Sequence, residues 1–137
     1  MRKVIMASAI ISIAVIVGVA YLLFFYGDVS ADIDEDNGTL KVKAPMVDET
    51  IHVSDIIQVQ YFGDEFDTGK RVSGFGSPVI SSGSFENSGG RYTLASYSDV
   101  NAYISVKHTG GTLVFNLSSV EETHDFYERM KSVWPGI

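Results

Sequence analysis

The sequence predicts a mainly β domain, a small barrel or sandwich, capped by a C-terminal α-helix and preceded by one transmembrane helix. Three observations carry this. Residues 4–26 form an uncharged apolar run, and residues 29–117 hold short alternating segments punctuated by glycine, asparagine and proline. Residues 119–133 form a capped amphipathic segment. The organisation that follows is an anchor over residues 1–26 and a single β domain over residues 27–137.

The apolar run reads VIMASAIISIAVIVGVAYLLFFY and follows Arg2 and Lys3. As a helix it is about 34 Å long, enough for a hydrocarbon core of about 30 Å. Tyr21 and Tyr26 fall where an interfacial aromatic belt sits. The run has no polar face, which excludes a helix packed on the core of a small soluble domain. A cleaved signal peptide is the rival reading: its apolar core is shorter, about 7–15 residues, but Val29-Ser30-Ala31 offers a small-residue cleavage pattern. Cleavage there releases a secreted domain. The chain has no cysteine, so an anchor through a lipidated cysteine is excluded. Arg2 and Lys3 are the only basic residues before Lys41, and the positive-inside rule therefore places the N-terminus in the cytoplasm and the domain outside the cell membrane.

All 17 acidic residues lie beyond the run, against the basic residues that remain once Arg2 and Lys3 are set aside from 10, for a domain charge of −9. Nucleic-acid binders concentrate positive charge, so that class is excluded, and anionic headgroups are an equally poor match. The missing cysteines suit a bacterial envelope. Asn37-Gly38-Thr39 and Asn116-Leu117-Ser118 match the glycosylation acceptor pattern, which matters only in a eukaryotic secretory pathway.

Each element has a local reason. Leu40-Lys41-Val42-Lys43 alternates as a half-buried strand does, and Asn37-Gly38 before it is a hairpin signal whose two residues tolerate positive φ. Residues 29–34 and 39–44 are therefore expected to pair, with Ile33 facing inward and Pro45 ending the second strand. Residues 50–53 and 56–62 read as further strands around a Ser54-Asp55 corner. Residues 63–90 are the least regular stretch, with isolated aromatics at Phe66, Phe75 and Phe85. A strand is expected over 79–85, with Gly83 marking a bulge or a close backbone approach. Strands over 91–96, 102–107 and 112–117 follow, the last two joined at Gly110-Gly111.

Ser119-Val120-Glu121-Glu122 fits a capping box, and acidic residues in the first turns complement the helix dipole. Phe126, Met130 and Val133 recur on one face, broadened by Thr123, Tyr127 and Trp134. Pro135-Gly136 stops the helix.

The segments Arg71-Val72-Ser73-Gly74-Phe75-Gly76, Gly83-Ser84-Phe85 and Arg91-Tyr92 resemble the glycine-rich middle of bacterial pleckstrin-homology-like (PH-like) domains. Residues 102–107, 111–118 and the helix with Phe126 resemble the end of such domains. The resemblance implies a strongly bent sheet or small barrel of about seven strands capped by the C-terminal helix, and a domain that binds rather than catalyses. Lipid-reading members use basic residues around the first hairpin. Here that hairpin holds Asp34, Glu35 and Asp36, with only Lys41 and Lys43 following, which argues against phosphoinositide binding.

Asp32, Asp34 and Asp36 have the spacing of a calcium loop's first ligands, but Gly38 falls one place late and Lys43 stands where the loop's glutamate belongs. A solvated acidic turn is the expectation. His52, His108 and His124 are scattered and no zinc spacing exists. Gly74-Phe75-Gly76-Ser77-Pro78 is no nucleophile elbow, since Pro78 has no N–H for an oxyanion, and no helix follows the glycines to cradle a phosphate. No cofactor and no catalytic residue are predicted.

The candidate binding residues are Lys70, Arg71, Gly74, Phe75 and Gly76, read as a loop. Arg71 is read as an anion contact or as a partner for Asp64, Glu65 or Asp67, and Phe75 as an exposed anchor or a core aromatic. The function these readings predict is a membrane-anchored, non-catalytic binding or scaffolding module whose partner is another envelope protein. The alternative is a secreted or anchored hydrolase, which a pocket joining Ser, His and carboxylate groups would favour.

Overall fold

The computed structural model describes residues 2–25 and 27–137, so Tyr26 of the expected aromatic belt lies outside the described residues. Helix α1 (Arg2–Phe25) is uninterrupted, and its side chains from Lys3 to Tyr21 are all exposed. Lys3–Tyr21 is long and apolar enough to cross a membrane; a signal sequence passes the same test.

Two antiparallel hairpins build a three-stranded sheet from β1 (Ser30–Asp34), β2 (Thr39–Ala44) and β3 (Val47–His52). A short 3₁₀ turn, Val53–Asp55, leads to β4 (Ile56–Phe62). With β5 (Lys70–Gly76), β6 (Ile80–Asn87), β7 (Gly90–Tyr97), β8 (Tyr103–His108) and β9 (Gly111–Phe115) it forms a six-stranded sheet in the order β4-β8-β9-β7-β6-β5. Helix α2 (Val120–Val133) follows. The domain is mainly β and ends in a helix, as expected. The expected barrel of about seven strands gives way to two open sheets with nine strands among the described residues, β4 and β5 lying at opposite edges of the larger. One added strand is β5, because Lys70–Gly76 is a strand and not a loop. Glycines at 74 and 76 hide its periodicity.

The first hairpin turns differently from its Asn-Gly signal. Four residues separate Asp34 from its partner Thr39. Gly38 alone takes a positive φ there, 63°, while the Asp34 carboxylate accepts from the Asn37 side-chain amide at 2.7 Å and from its backbone N–H at 3.2 Å. These two bonds hold the Asp34 carboxyl below its ordinary range. β2 ends before Pro45 as predicted, but β3 starts at Val47, earlier than the expected Thr50. Pro45 and Met46 make the whole turn between them, with Met46 at φ 62°, the one non-glycine residue at positive φ among those described.

Successive residues in the large sheet serve opposite faces. On the inner face Ile80, Ala95, Ile104, Leu113 and Phe115 join Ile33, Leu40, Val42, Val47 and Ile51 of the small sheet. Phe126 and Met130 of α2 complete this core, Phe126 meeting the Phe115 ring edge-on at 5.7 Å. On the outer face Phe85, Tyr92, Leu94, Tyr103 and Val114 form a second cluster. It is covered by the chain between β4 and β5, which must cross from one edge of the sheet to the other. Phe66 at the middle of this strap packs 5.0 Å from the Tyr103 ring and edge-on to Tyr92 at 5.9 Å, and the Tyr92 hydroxyl donates to the Thr68 carbonyl at 2.6 Å. Burial pushes the phenols of Tyr92 and Tyr103 above their ordinary value; for Tyr92 the neighbouring Tyr103 and Asp67 add to it.

The β8–β9 hairpin places β9 between β8 and β7, parallel to β7 and antiparallel to β8. Asn116, just past β9 and fully buried, fixes that insertion. Its side-chain oxygen accepts from Tyr97 N–H at 2.7 Å, and its amide donates to the carbonyls of Tyr97 (3.2 Å) and Val100 (3.1 Å). An amide so engaged is no glycosylation acceptor in the folded chain, whereas Asn37 is exposed. At α2 the Ser119 hydroxyl accepts from Glu122 N–H at 3.0 Å as the capping box predicts; the Glu122 carboxylate, however, takes the hydroxyl of Ser118.

Replacing Asn116 with leucine keeps the branched outline, at a somewhat larger volume, but takes the hydrogen-bond partner from the Tyr97 N–H and from the buried Val100 carbonyl. Each such group costs about 1–3 kcal/mol, so Asn116→Leu is expected to lose roughly 3 kcal/mol or more in denaturant unfolding. A loss below 1 kcal/mol, on the order of a surface change, would show that the network is not what holds β9 in place.

Candidate binding groove

Strand β5 carries every residue singled out in the sequence, and the structure divides them between two places. Lys70 and Arg71 are exposed at its start. Arg71 pairs with Phe85, and its guanidinium lies over the Phe85 ring, 5.7 Å from the centroid. A side chain at Gly76 would strike that guanidinium, so the bare backbone there leaves Arg71 room to lie flat. The expected ion-pair partners are engaged elsewhere: Glu65 accepts from Gly63 N–H and Asp67 from Gly69 N–H, both at 2.9 Å, holding turns of the strap. Among the described residues the carboxylates close to a basic side chain are Glu49, 3.8 Å from His108, and Glu128, 3.5 Å from His124, ion pairs only with the histidine protonated, and neither includes Arg71. Phe75 is partly buried against the inner core, and with Gly74 it lines a groove.

That groove exists because three strands do not cover six. It runs between the free edge of β3 and the large sheet in three adjoining parts of about 480, 340 and 200 Å³. Met46 is shared by the first two parts, and Glu49, Ser84 and Thr93 by the last two. Met46, Val47, Asp48 and Glu49 all line the middle part. Consecutive residues of a strand point to opposite faces, so four in a row can share a groove only where the strand's edge forms its wall. The floor carries hydroxyls in register on three adjacent strands, Ser73 beside Ser84 beside Thr93.

Glycine brings β5 close enough to complete this floor. A Cβ at Gly83 would stand 2.3 Å from the Ser73 carbonyl oxygen and 2.6 Å from the Gly74 Cα; one at Gly74 would meet Ser82 and Gly83 in the same way. Both residues adopt positive φ, 132° at Gly74 and 126° at Gly83. The close approach expected at Gly83 is therefore present.

Glu49 is the residue that sequence reasoning missed. The register of the small sheet sets it beside Val42, in the row that also holds Ala31 and faces the large sheet. It stands between buried Val47 and Ile51 on the same face of β3. Its Oε2 is buried and has no hydrogen-bond partner among the described residues; His108 Nε2 lies 3.8 Å away, beyond hydrogen-bond reach. A usable signal was present: Glu49 is a charge in phase with two apolar neighbours at i−2 and i+2. A strand expected from Thr50 leaves it outside β3, which begins at Val47.

The same end of the groove brings Ser84, His108 and Glu49 to one lining, with Arg91 and Thr112. They are not wired as a nucleophile and base. His108 Nδ1 accepts from Gly110 N–H at 3.2 Å, so its proton sits on Nε2, which faces Glu49, and no lone pair remains for a serine proton. Among the described residues no group of three or more His, Asp or Glu side chains is placed to hold a metal ion. No family profile, curated protein or solved structure matches this chain.

Gly83→Ala forces β5 away from β6. It is expected to cost roughly 1–3 kcal/mol in thermal unfolding and to speed amide exchange along β5. Unchanged stability and exchange would show that the glycine pair does not set the spacing of the groove floor.

Proposed function

We propose that this protein is a membrane-anchored, non-catalytic binding module of the PH-like kind, held by an uncleaved α1 with its N-terminus in the cytoplasm and its β domain outside. Its partner is another protein of the envelope assembly. Support for the orientation comes from Arg2 and Lys3, the only basic residues before Lys41.

The observation that carries the binding reading is Glu49, a carboxylate with a buried, unpartnered oxygen in a groove walled by a free strand edge. A buried carboxylate oxygen without a hydrogen bond is costly, and a cation that joins it gains a charge-assisted one. An extended segment lying in the groove adds to β3 through its main chain and offers a lysine or arginine to Glu49. Asp48 beside Glu49 and the net acidity of the domain favour the approach of a basic segment, while Arg91 at the far part directs the cation toward the middle. Nucleic acid and phosphoinositide headgroups are disfavoured by the same charge, and no cofactor enters this reading.

A displayed library of short random peptides, panned against the full chain and against Glu49→Gln, tests this. Strand-forming peptides with one lysine or arginine are expected to be enriched on the native chain and to bind the variant about ten-fold or more weaker, as the loss of a charged hydrogen bond implies. Equal enrichment and affinity on both forms would overturn it. The hydrolase reading draws on the meeting of Ser84, His108 and Glu49. A fluorophosphonate probe attached to Ser84, and lost in His108→Ala, would establish that reading; no such labelling is expected.

A further inference from the structure

Met46 is 75% exposed, more than any described large apolar residue of α1, where Val4 reaches 72%. It also occupies the left-handed region at φ 62°, in a two-residue turn after Pro45 where glycine is the unstrained choice. An exposed apolar side chain on a strained backbone is unfavourable twice over in water. What the turn touches explains it. Gly27, with φ 91°, lies against the Pro45 ring: a Cβ at Gly27 would stand 2.5 Å from Pro45 Cγ. Gly27 and Asp28 line the first part of the groove together with Lys43, Pro45, Met46 and Phe75.

Gly27 follows the last helical residue, Phe25, by two positions, a reach of at most about 7 Å. The headgroup layer on each side of a bilayer is about 5–7 Å thick. When α1 spans, a turn packed on Gly27 is thereby held close to the helix end and so to the bilayer surface. The rim charges, Asp28 and Lys43, balance one another, so the headgroups meet no net charge there.

We propose that the Pro45–Met46 turn docks the β domain onto the bilayer from which α1 emerges, with the Met46 side chain inserted at the headgroup–acyl boundary and Phe75 behind it. This rests on the reading of α1 as a membrane span. The lipid surface is the second apolar phase that the exposed Met46 lacks in water. The docked turn fixes how the domain, and with it the groove beside β3, stands over the membrane.

The cysteine-free chain permits a direct test with single nitroxide labels at Ile13→Cys, Met46→Cys and Glu121→Cys in the full protein, reconstituted in vesicles of phosphatidylcholine. Collision rates with oxygen and with a water-soluble nickel chelate report the depth of each label. The expected result is an Ile13 label deep in the bilayer, a Met46 label shielded from nickel several-fold relative to Glu121, and a Glu121 label in water. An embedded Ile13 label with Met46 as accessible to nickel as Glu121 overturns the docking while leaving the span intact. An Ile13 label open to nickel overturns the span itself, and the docking with it. The far-ultraviolet circular dichroism of each labelled form must match the unlabelled chain, and Met46→Trp, read by quenching with brominated lipid, repeats the measurement without a label.

Discussion

A buried side-chain amide fixes the arrangement of the six-stranded sheet. β9 inserts between two strands that precede it in the chain, and the parallel contact with β7 cannot be closed by a tight turn. Asn116 supplies what the ladder does not: it bonds both backbone groups of Tyr97 and the carbonyl of Val100, tying the end of β9 to the end of β7 and to the connection beyond it. Leu117 N–H then donates to Thr123 Oγ1, and Thr123 in turn donates to Ser119, so the same anchor hands the chain to α2. Once β9 is placed, Phe115 faces Phe126 and the inner core closes under the helix.

The edges of the larger sheet carry the consequences. β4 and β5 are consecutive in the chain and farthest apart in the sheet, so the strap between them crosses the outer face, and Phe66 turns that crossing into a second apolar cluster. Delivered to the far edge, β5 can approach β6 only through the Gly74–Gly83 contact. The small sheet leaves this part of the inner face open, and the row of hydroxyls with Glu49 above it is the result.

The groove and the Pro45–Met46 turn are one continuous feature, since Met46 lines both its first and its second part. The chain leaving α1, the turn and the groove therefore follow one another in space as Gly27, Pro45, Met46 and Glu49. In the proposed function this order relates the height of the binding edge above the bilayer to the chain itself rather than to a flexible linker. It also gives the glycine at 27 a role, because only a residue without a Cβ admits the Pro45 ring at that distance.

Local chemistry determined much of this by itself. The apolar run, the β1–β2 pairing with Ile33 inward, β4 over Ile56–Phe62, the Ser119 cap and the Phe126–Met130 face are each written in periods and caps that act within a few residues. Which strands are neighbours was decided only in the tertiary structure: the insertion of β9, the crossing of the strap and the separation of the two sheets depend on contacts between residues far apart in sequence. The candidate residues on β5 divide between two places, Arg71 on Phe85 and Phe75 facing the groove, because the register shift between Arg71 and Ser73 turns these two residues, four apart in the chain, to opposite faces, while glycine hides the strand's period. Glu49 became a candidate only through register. A carboxylate in a strand reads as solvated until the pairing of β2 with β3 sets it beside Val42, where it can no longer reach water with both oxygens.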